Sequence, residues 1–180
     1  MRVLIYGFGP YRQFHQNVTE KILRQLPKRR HLKKIVFPVR FHKTQFTNAI
    51  KKFTPDVILG LGQCSEGRLL RIEARGVNKR RTDKREKPKP IVQGGAHALS
   101  TNLKLNLGRS ADQSRNAGDY VCNYSIYVIL DFLKRSRLSI PFGFVHIPYG
   151  YDKAKARRLL LKAIDQLRSP PSDRSRAQRI

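Results

Sequence analysis

Apolar positions along the 180-residue chain fall into short blocks whose spacing changes from one block to the next. Continuous apolar runs of about five residues predict buried strands, and apolar residues three or four apart predict helices with one covered face. Residues 2–6, 34–39, 57–61, 69–77 and 142–147 read as strands. The first is closed by Gly7-Phe8-Gly9-Pro10 and the third by Gly60 and Gly62. Residues 18–26 read as a helix that Asn17 can cap, with Glu20 at the capping-box spacing. A helix over 43–53 places Phe46, Ile50 and Phe53 on one face. A longer one over 122–138 turns Ile126, Ile129, Leu130 and Leu133 inward, and one over 152–167 does the same with Leu160, Ala163, Ile164 and Leu167. Residues 78–90 form a charged loop, and Gly94-Gly95 marks a turn. Leu103, Leu105 and Leu107 recur at strand spacing, but the polar residues after them leave 100–116 between strand and helix. Strand and helix alternate, which predicts an α/β fold: a single three-layer αβα domain with a largely parallel twisted sheet. The domain is expected to span 1–168. Residues 169–180 hold two prolines and three arginines without periodicity and are expected to form a disordered basic tail.

Charge changes this picture in one respect. Thirty-eight Lys and Arg stand against 12 Asp and Glu, a net charge of +26. The basic residues gather in 28–34, in 79–89 and from Lys153 onward. Such a field attracts polyanions non-specifically. The clusters are not interleaved with aromatics and carry no nucleic-acid motif, so a solvated cationic surface is the plainer reading. No apolar run approaches the roughly 18 residues of a membrane span. The start of the chain is too soon interrupted by Gly and Pro for a secretion signal, and two cysteines make no disulfide framework. The expected setting is cytoplasmic, without a membrane partner.

Three residues can carry chemistry. Cys122 stands where a helix begins, His146 stands 24 residues later near the end of an apolar strand, and Glu73 interrupts the strand-like run over 69–77. Taken singly each has a bland reading: a small buried hydrophobe, a satisfied histidine, a surface carboxylate. Together they are the parts of an activated cysteine nucleophile. A helix start lowers a thiol pKa and offers backbone N–H groups to an oxyanion. An imidazole at the carboxyl end of a sheet strand lies where α/β active sites gather, and a carboxylate beside it would fix its tautomer. The remaining histidines form no metal spacing with either cysteine, so no metal is expected.

Around these residues the chain resembles the pyroglutamyl peptidase I family, peptidase family C15. Gly7-Phe8-Gly9-Pro10-Tyr11 is similar to that family's opening motif, and Asn17 matches the Asn that follows it. Residues 55–63, a Pro-Asp-Val strand ending in Gly62-Gln63, resemble the family's third segment. So do Ile72-Glu73 through Val77-Asn78, Ile91-Val92-Gln93-Gly94-Gly95, Ala117 through Asn123 and Gly143 through Pro148. The spacings from Gln63 to Glu73 and from Cys122 to His146 are also similar. The likeness covers about residues 1–167.

The resemblance implies a cysteine exopeptidase that removes N-terminal pyroglutamyl (5-oxoproline) residues from peptides, with Cys122, His146 and Glu73 as its triad. It implies lactam-pocket walls at Phe8 and Tyr11, polar positions at Asn17 and Gln63, and further substrate contacts at Tyr120 and Val121. It implies no cofactor and, as for many members, a homo-oligomer. The chain departs from the pattern in three places. Asp83 stands where the family carries an Arg, with Arg80, Arg81, Lys84 and Arg85 nearby as replacements. The loop after Glu73 and the stretch between Gly95 and Cys122 are short. Arg12-Gln13 replaces a Gly-Gly pair. These departures motivate a rival expectation, a catalytically impaired relative that binds polyanions or nucleic acid through its cationic surface.

Overall fold

The computed structural model describes residues 1–11, 15–83 and 85–168; the expected tail, Arg12-Gln13 and Lys84 lie outside them. Eight strands and four helices follow one another as β1 (Val3–Phe8), α1 (Val18–Gln25), β2 (Leu32–Phe37), α2 (Lys43–Phe53), β3 (Val57–Cys64), β4 (Leu70–Glu73), β5 (Arg75–Val77), β6 (Ala98–Ser100), β7 (Ala111–Ser114), α3 (Val121–Arg135), β8 (Phe142–Pro148) and α4 (Lys153–Arg168). Six strands form one sheet in the order β2-β1-β3-β8-β4-β7. All its pairings are parallel except β4 against β8. β5 and β6 form a separate antiparallel pair.

Alternation along the central strands sends side chains to two cores. Val3, Ile5, Leu59, Leu61, Val145 and Ile147 face α1 and α4, where they meet Ile22, Leu160 and Ile164. Leu4, Tyr6, Ile58, Phe142 and Phe144 face α2 and α3, where they meet Phe46, Ile126 and Ile129. The sheet is therefore the middle of three layers, as the alternating pattern predicts. The central strands are apolar on both faces because both faces are covered. The helix faces also follow the pattern, with Ile126, Ile129 and Leu133 buried and Leu130 only partly so.

Four local expectations are corrected. Gly60 and Gly62 do not end the third strand; β3 runs through them to Cys64. A Cβ on Gly60 would lie 2.4 Å from Phe144 Cδ2 and 2.6 Å from the Tyr6 hydroxyl, so the glycine admits two large rings at one level. The run over 69–77 is not one strand. The Ala74 N–H bonds Ser114 and its carbonyl accepts from Thr101 N, and beyond it the chain leaves the large sheet for β6. Gly76 then passes so close to α3 that a Cβ would lie 2.8 Å from Tyr127 N. The leucines at strand spacing lie in irregular chain: Leu103 and Leu107 are buried, and Asn102 Oδ1 takes the Phe142 N–H at 2.8 Å. A short 3₁₀ turn (Gly108–Ser110) and the edge strand β7 follow them. Glu20 does not close a capping box but pairs with Arg24.

Asn123 ties α3 to the strand beyond Glu73. It is fully buried; its Oδ1 accepts from Val77 N, and its Nδ2 donates to the carbonyls of Val77 and Lys79, each at 2.8 Å. Asn123→Ala would strand these groups away from water, at about 1–3 kcal/mol for an unsatisfied group. Urea denaturation of this variant should show a loss of about 3 kcal/mol, against a few tenths for an exposed control such as Asn48→Ala.

Candidate active site

The carboxyl ends of β3 and β8, the opposed strand β4 and the start of α3 meet at one edge of the sheet. Gly118 has φ +80°, a conformation that suits glycine, and its N–H bonds Asn116 Oδ1 at 3.1 Å. That turn delivers the chain to the helix start. α3 begins at Val121, and its cap residue Tyr120 makes no side-chain capping bond. The first backbone N–H groups are thus without intrahelical acceptors, and Cys122 is the second helical residue.

His146 and Glu73 come together across the antiparallel step. His146 is 6% exposed and Glu73 0%. His146 Nδ1 lies 2.7 Å from Glu73 Oε1, which leaves Nε2 as the ring nitrogen available to other groups. The surface reading of the carboxylate is overturned: the run that carries it is the inner face of a covered sheet. Gly62 lies opposite His146 in the β3–β8 ladder. A Cβ there would be 2.7 Å from His146 Cδ2 and 2.8 Å from Cys122 Sγ. Sulfur and imidazole therefore share the space above a glycine, and no other residue leaves that space open.

The thiol does not behave as the helix start predicts. Burial, then the charges of Cys64 and Glu73, push Cys122 up to about 12. A helix terminus offers about 0.3–1 kcal/mol to an exposed anion and up to about 2 kcal/mol to a partly buried one, at most about one and a half pK units at about 1.36 kcal/mol each. Burial wins, and the resting group is a neutral thiol. Cys64 is raised as well, again chiefly by burial, against a lowering contribution from Arg71.

A cavity of about 380 Å³ opens over the sulfur. Phe8, Tyr11, Tyr120 and Val121 supply apolar wall, and Asn17, Gln63, Cys122 and His146 line it as well. Tyr11 and Tyr120 rings lie 6.1 Å apart, and Phe41 meets Tyr120 edge-on at 5.3 Å from behind. Asn17 is engaged elsewhere: it caps α1 through Thr19 N and donates to the Gly9 carbonyl, so it holds the loop that carries Tyr11. Gln63 Oε1 accepts from Val18 N at 2.8 Å, which fixes the amide and leaves its buried Nε2 without a partner. The sequence-predicted residues thus converge on one cavity, with Glu73 behind His146. Sequence reasoning missed Gly62, Cys64, Arg71 and Asp119, which also line or shape it. Strand alternation hinted at three of them, since Gly62 and Cys64 share a face of β3, as Arg71 and Glu73 do of β4; Asp119 lies in irregular chain before α3.

A partly accessible thiol, an imidazole held by a buried acid and an apolar cavity at a sheet edge are the parts that a cysteine peptidase needs. The family follows from comparison. The model of the pyroglutamyl peptidase family, peptidase family C15, matches residues 1–158, and the chain belongs to that family. It is 29% identical over 168 residues to the pyrrolidone-carboxylate peptidase of Alkaliphilus oremlandii, with 83% of this chain and 79% of that protein covered. It is 30% identical over 169 residues to the Staphylococcus carnosus pyrrolidone-carboxylate peptidase, with the same coverage. The fold matches the crystal structure of Bacillus amyloliquefaciens pyroglutamyl peptidase I with a TM-score of 0.80 at 24% identity, over 90% of this chain and 94% of that one. It matches a mutant pyrrolidone carboxyl peptidase of Pyrococcus furiosus with a TM-score of 0.78, over 92% and 97%.

Two outcomes follow from this geometry. Gly62→Ala should drive sulfur and imidazole apart while the fold persists. Since an ångström of misplacement can cost about 100-fold, hydrolysis of a pyroglutamyl arylamide should fall by about that factor or more, with an unchanged circular dichroism spectrum. Because burial raises the thiol pKa, Cys122 is mostly protonated at neutral pH. Its alkylation by iodoacetamide should keep accelerating as pH climbs toward about 12. Peptide mapping at several pH values checks this; a plateau reached by pH 7 would mean the thiolate is already formed.

Proposed function

We propose that this protein hydrolyses the bond after an N-terminal 5-oxoprolyl residue of peptides, with Cys122 as nucleophile. The observation that carries the reading is the convergence of Cys122 Sγ and the Glu73-bonded imidazole over Gly62, at the floor of an aromatic-walled cavity. A pyroglutamyl ring is flat, uncharged and small. Phe8, Tyr11 and Tyr120 offer it apolar faces, and the free Gln63 amide N–H offers a donor to the lactam carbonyl.

In this reading Cys122 Sγ attacks the 5-oxoprolyl carbonyl carbon as His146 Nε2 takes the thiol proton. The raised thiol pKa makes that transfer part of the attack rather than a prior ionisation. The first N–H groups of α3 hold the oxyanion. The C–N bond then breaks as His146 gives its proton to the departing amine, leaving a thioester. His146 next removes a proton from water, which attacks the thioester and releases pyroglutamate and the free thiol. Glu73 keeps Nδ1 engaged, so that Nε2 is the exchanging nitrogen, and stabilises the imidazolium between steps. No metal or cofactor enters the sequence of steps. The site is proposed to work inside the cell, where thiols stay reduced.

Pyroglutamyl-7-amino-4-methylcoumarin is the direct test. The native protein should release the coumarin. Cys122→Ser and His146→Ala should each lower kcat by about 1,000-fold or more. Glu73→Gln should cost less, because it keeps a hydrogen-bonding group and loses only the charge. Full activity in purified Cys122→Ser, with no contaminating peptidase, would sink the mechanism.

A further inference from the structure

Arg71 is a cationic group of the cavity wall that the reaction above leaves unused. It lies on β4 two residues before Glu73 and directly opposite His146 in the ladder, so the three side chains share one face of the sheet. One guanidinium nitrogen, Nη2, donates to the Glu66 carbonyl at 3.0 Å, while the buried Nε has no hydrogen-bond partner. The carboxylates of the site are already taken: Asp119 pairs with Arg81 at 2.7 Å and Glu73 with His146 at 2.7 Å. Asp112, which faces Arg71 across β7, is exposed, and no ion pair joins the two. Among the described residues, then, Arg71 is a cation in a cavity wall without a counter-charge. A guanidinium carries five N–H donors; the Glu66 carbonyl takes one and the neighbouring Cys64 thiol another, and the rest of the fork suits a carboxylate.

Its place in the sheet gives the direction. β1, β3, β8 and β4 stand side by side, about 4.8 Å between neighbours. Phe8 ends β1, the Cys122 sulfur sits over Gly62 of β3 beside His146 of β8, and Arg71 comes next on β4. A substrate laid across the sulfur with its lactam ring on the Phe8 side places the rest of the chain on the Arg71 side. His146, which delivers the proton to the departing amine, stands between the two. We infer that Arg71 determines specificity by binding a carboxylate on the residue that follows the pyroglutamyl group. That carboxylate is an Asp or Glu side chain, or the terminal carboxylate of a dipeptide. The inference rests on the hydrolytic reading above.

Three substrates of one length separate the cases: pyroglutamyl-glutamine amide is neutral, pyroglutamyl-glutamate amide carries a side-chain carboxylate, and pyroglutamyl-glutamine carries a terminal one. The readout is the ratio of kcat/KM for each acid to that for the neutral amide within a single variant, so a general loss of activity cancels. A charged hydrogen bond supports a preference of about tenfold or more. The native protein should show it for at least one acid, mainly in KM, and which acid identifies the carboxylate. Arg71→Gln should bring that ratio to about one, and Arg71→Glu should push it below one; Arg71→Lys should retain part of it. Equal hydrolysis of all three substrates by the native protein would overturn this inference while leaving the hydrolytic reading intact. So would a preference that survives in Arg71→Gln. Hydrolysis of none of them would overturn both.

Discussion

The site depends on one buried contact, the 2.7 Å bond between Glu73 and His146. Removing a carboxylate from water costs several kcal/mol, and Glu73 is wholly buried with one oxygen, Oε2, unpartnered. Only a neighbour that gains charge during reaction makes that burial useful. The contact exists because β4 runs against β8 while the strands on the other side of β8 run with it. The reversal brings the amino end of β4 to the carboxyl edge of the parallel strands. It sets Arg71 beside His146 and Glu73 one pleat deeper. Had β4 been parallel, its acid could not approach the same imidazole from that level.

The second requirement is space. Gly60 and Gly62 form a groove along one face of β3, filled at the lower level by Tyr6 and Phe144 and at the upper by the thiol and imidazole. The aromatic cluster beneath, with Phe37, Phe46 and Tyr6 at edge-on or tilted contacts of 5.0–5.9 Å, fixes that floor. A rigid floor matters because the reacting pair is held by packing rather than by a covalent tie.

The basic loop after Glu73 takes a structural part at the cavity. Arg81 holds Asp119, a wall residue, and Arg80 lies 5.4 Å over the Phe41 ring that backs Tyr120. Asn78 anchors the loop's far end, accepting from Ile91 and Val92 N–H groups at 2.8 and 2.9 Å. Asp83 accepts from Arg85 N within the loop. Cationic residues of the segment thus support the wall through Asp119 and Phe41, whereas among the described residues Arg71, on β4, is the cation that lines the cavity itself.

Much of this was legible in the chain. Apolar runs and helical spacing located the strands and helices because both signals are local: a residue's burial repeats with the geometry of its own segment. The cysteine and histidine segments were legible for the same reason, since helix start and strand end are written in neighbouring residues. The break at Ala74 was not, because it depends on which strand pairs with each half, and the partners Ser114 and Thr101 lie about 30–40 residues away. The thiol pKa was misjudged because a helix start is a local feature and desolvation is a sum over everything packed around the sulfur. Gly62 looked like a strand terminus, and Arg71 like one basic residue among 38. The sequence by itself determined the layers, the faces of the elements and the residue types able to do chemistry. Tertiary structure alone decided strand order and direction, and with them which acid meets which base, how far packing strips water from the thiol and which cation lines the cavity. Those properties depend on contacts between distant segments, which periodicity along the chain does not encode.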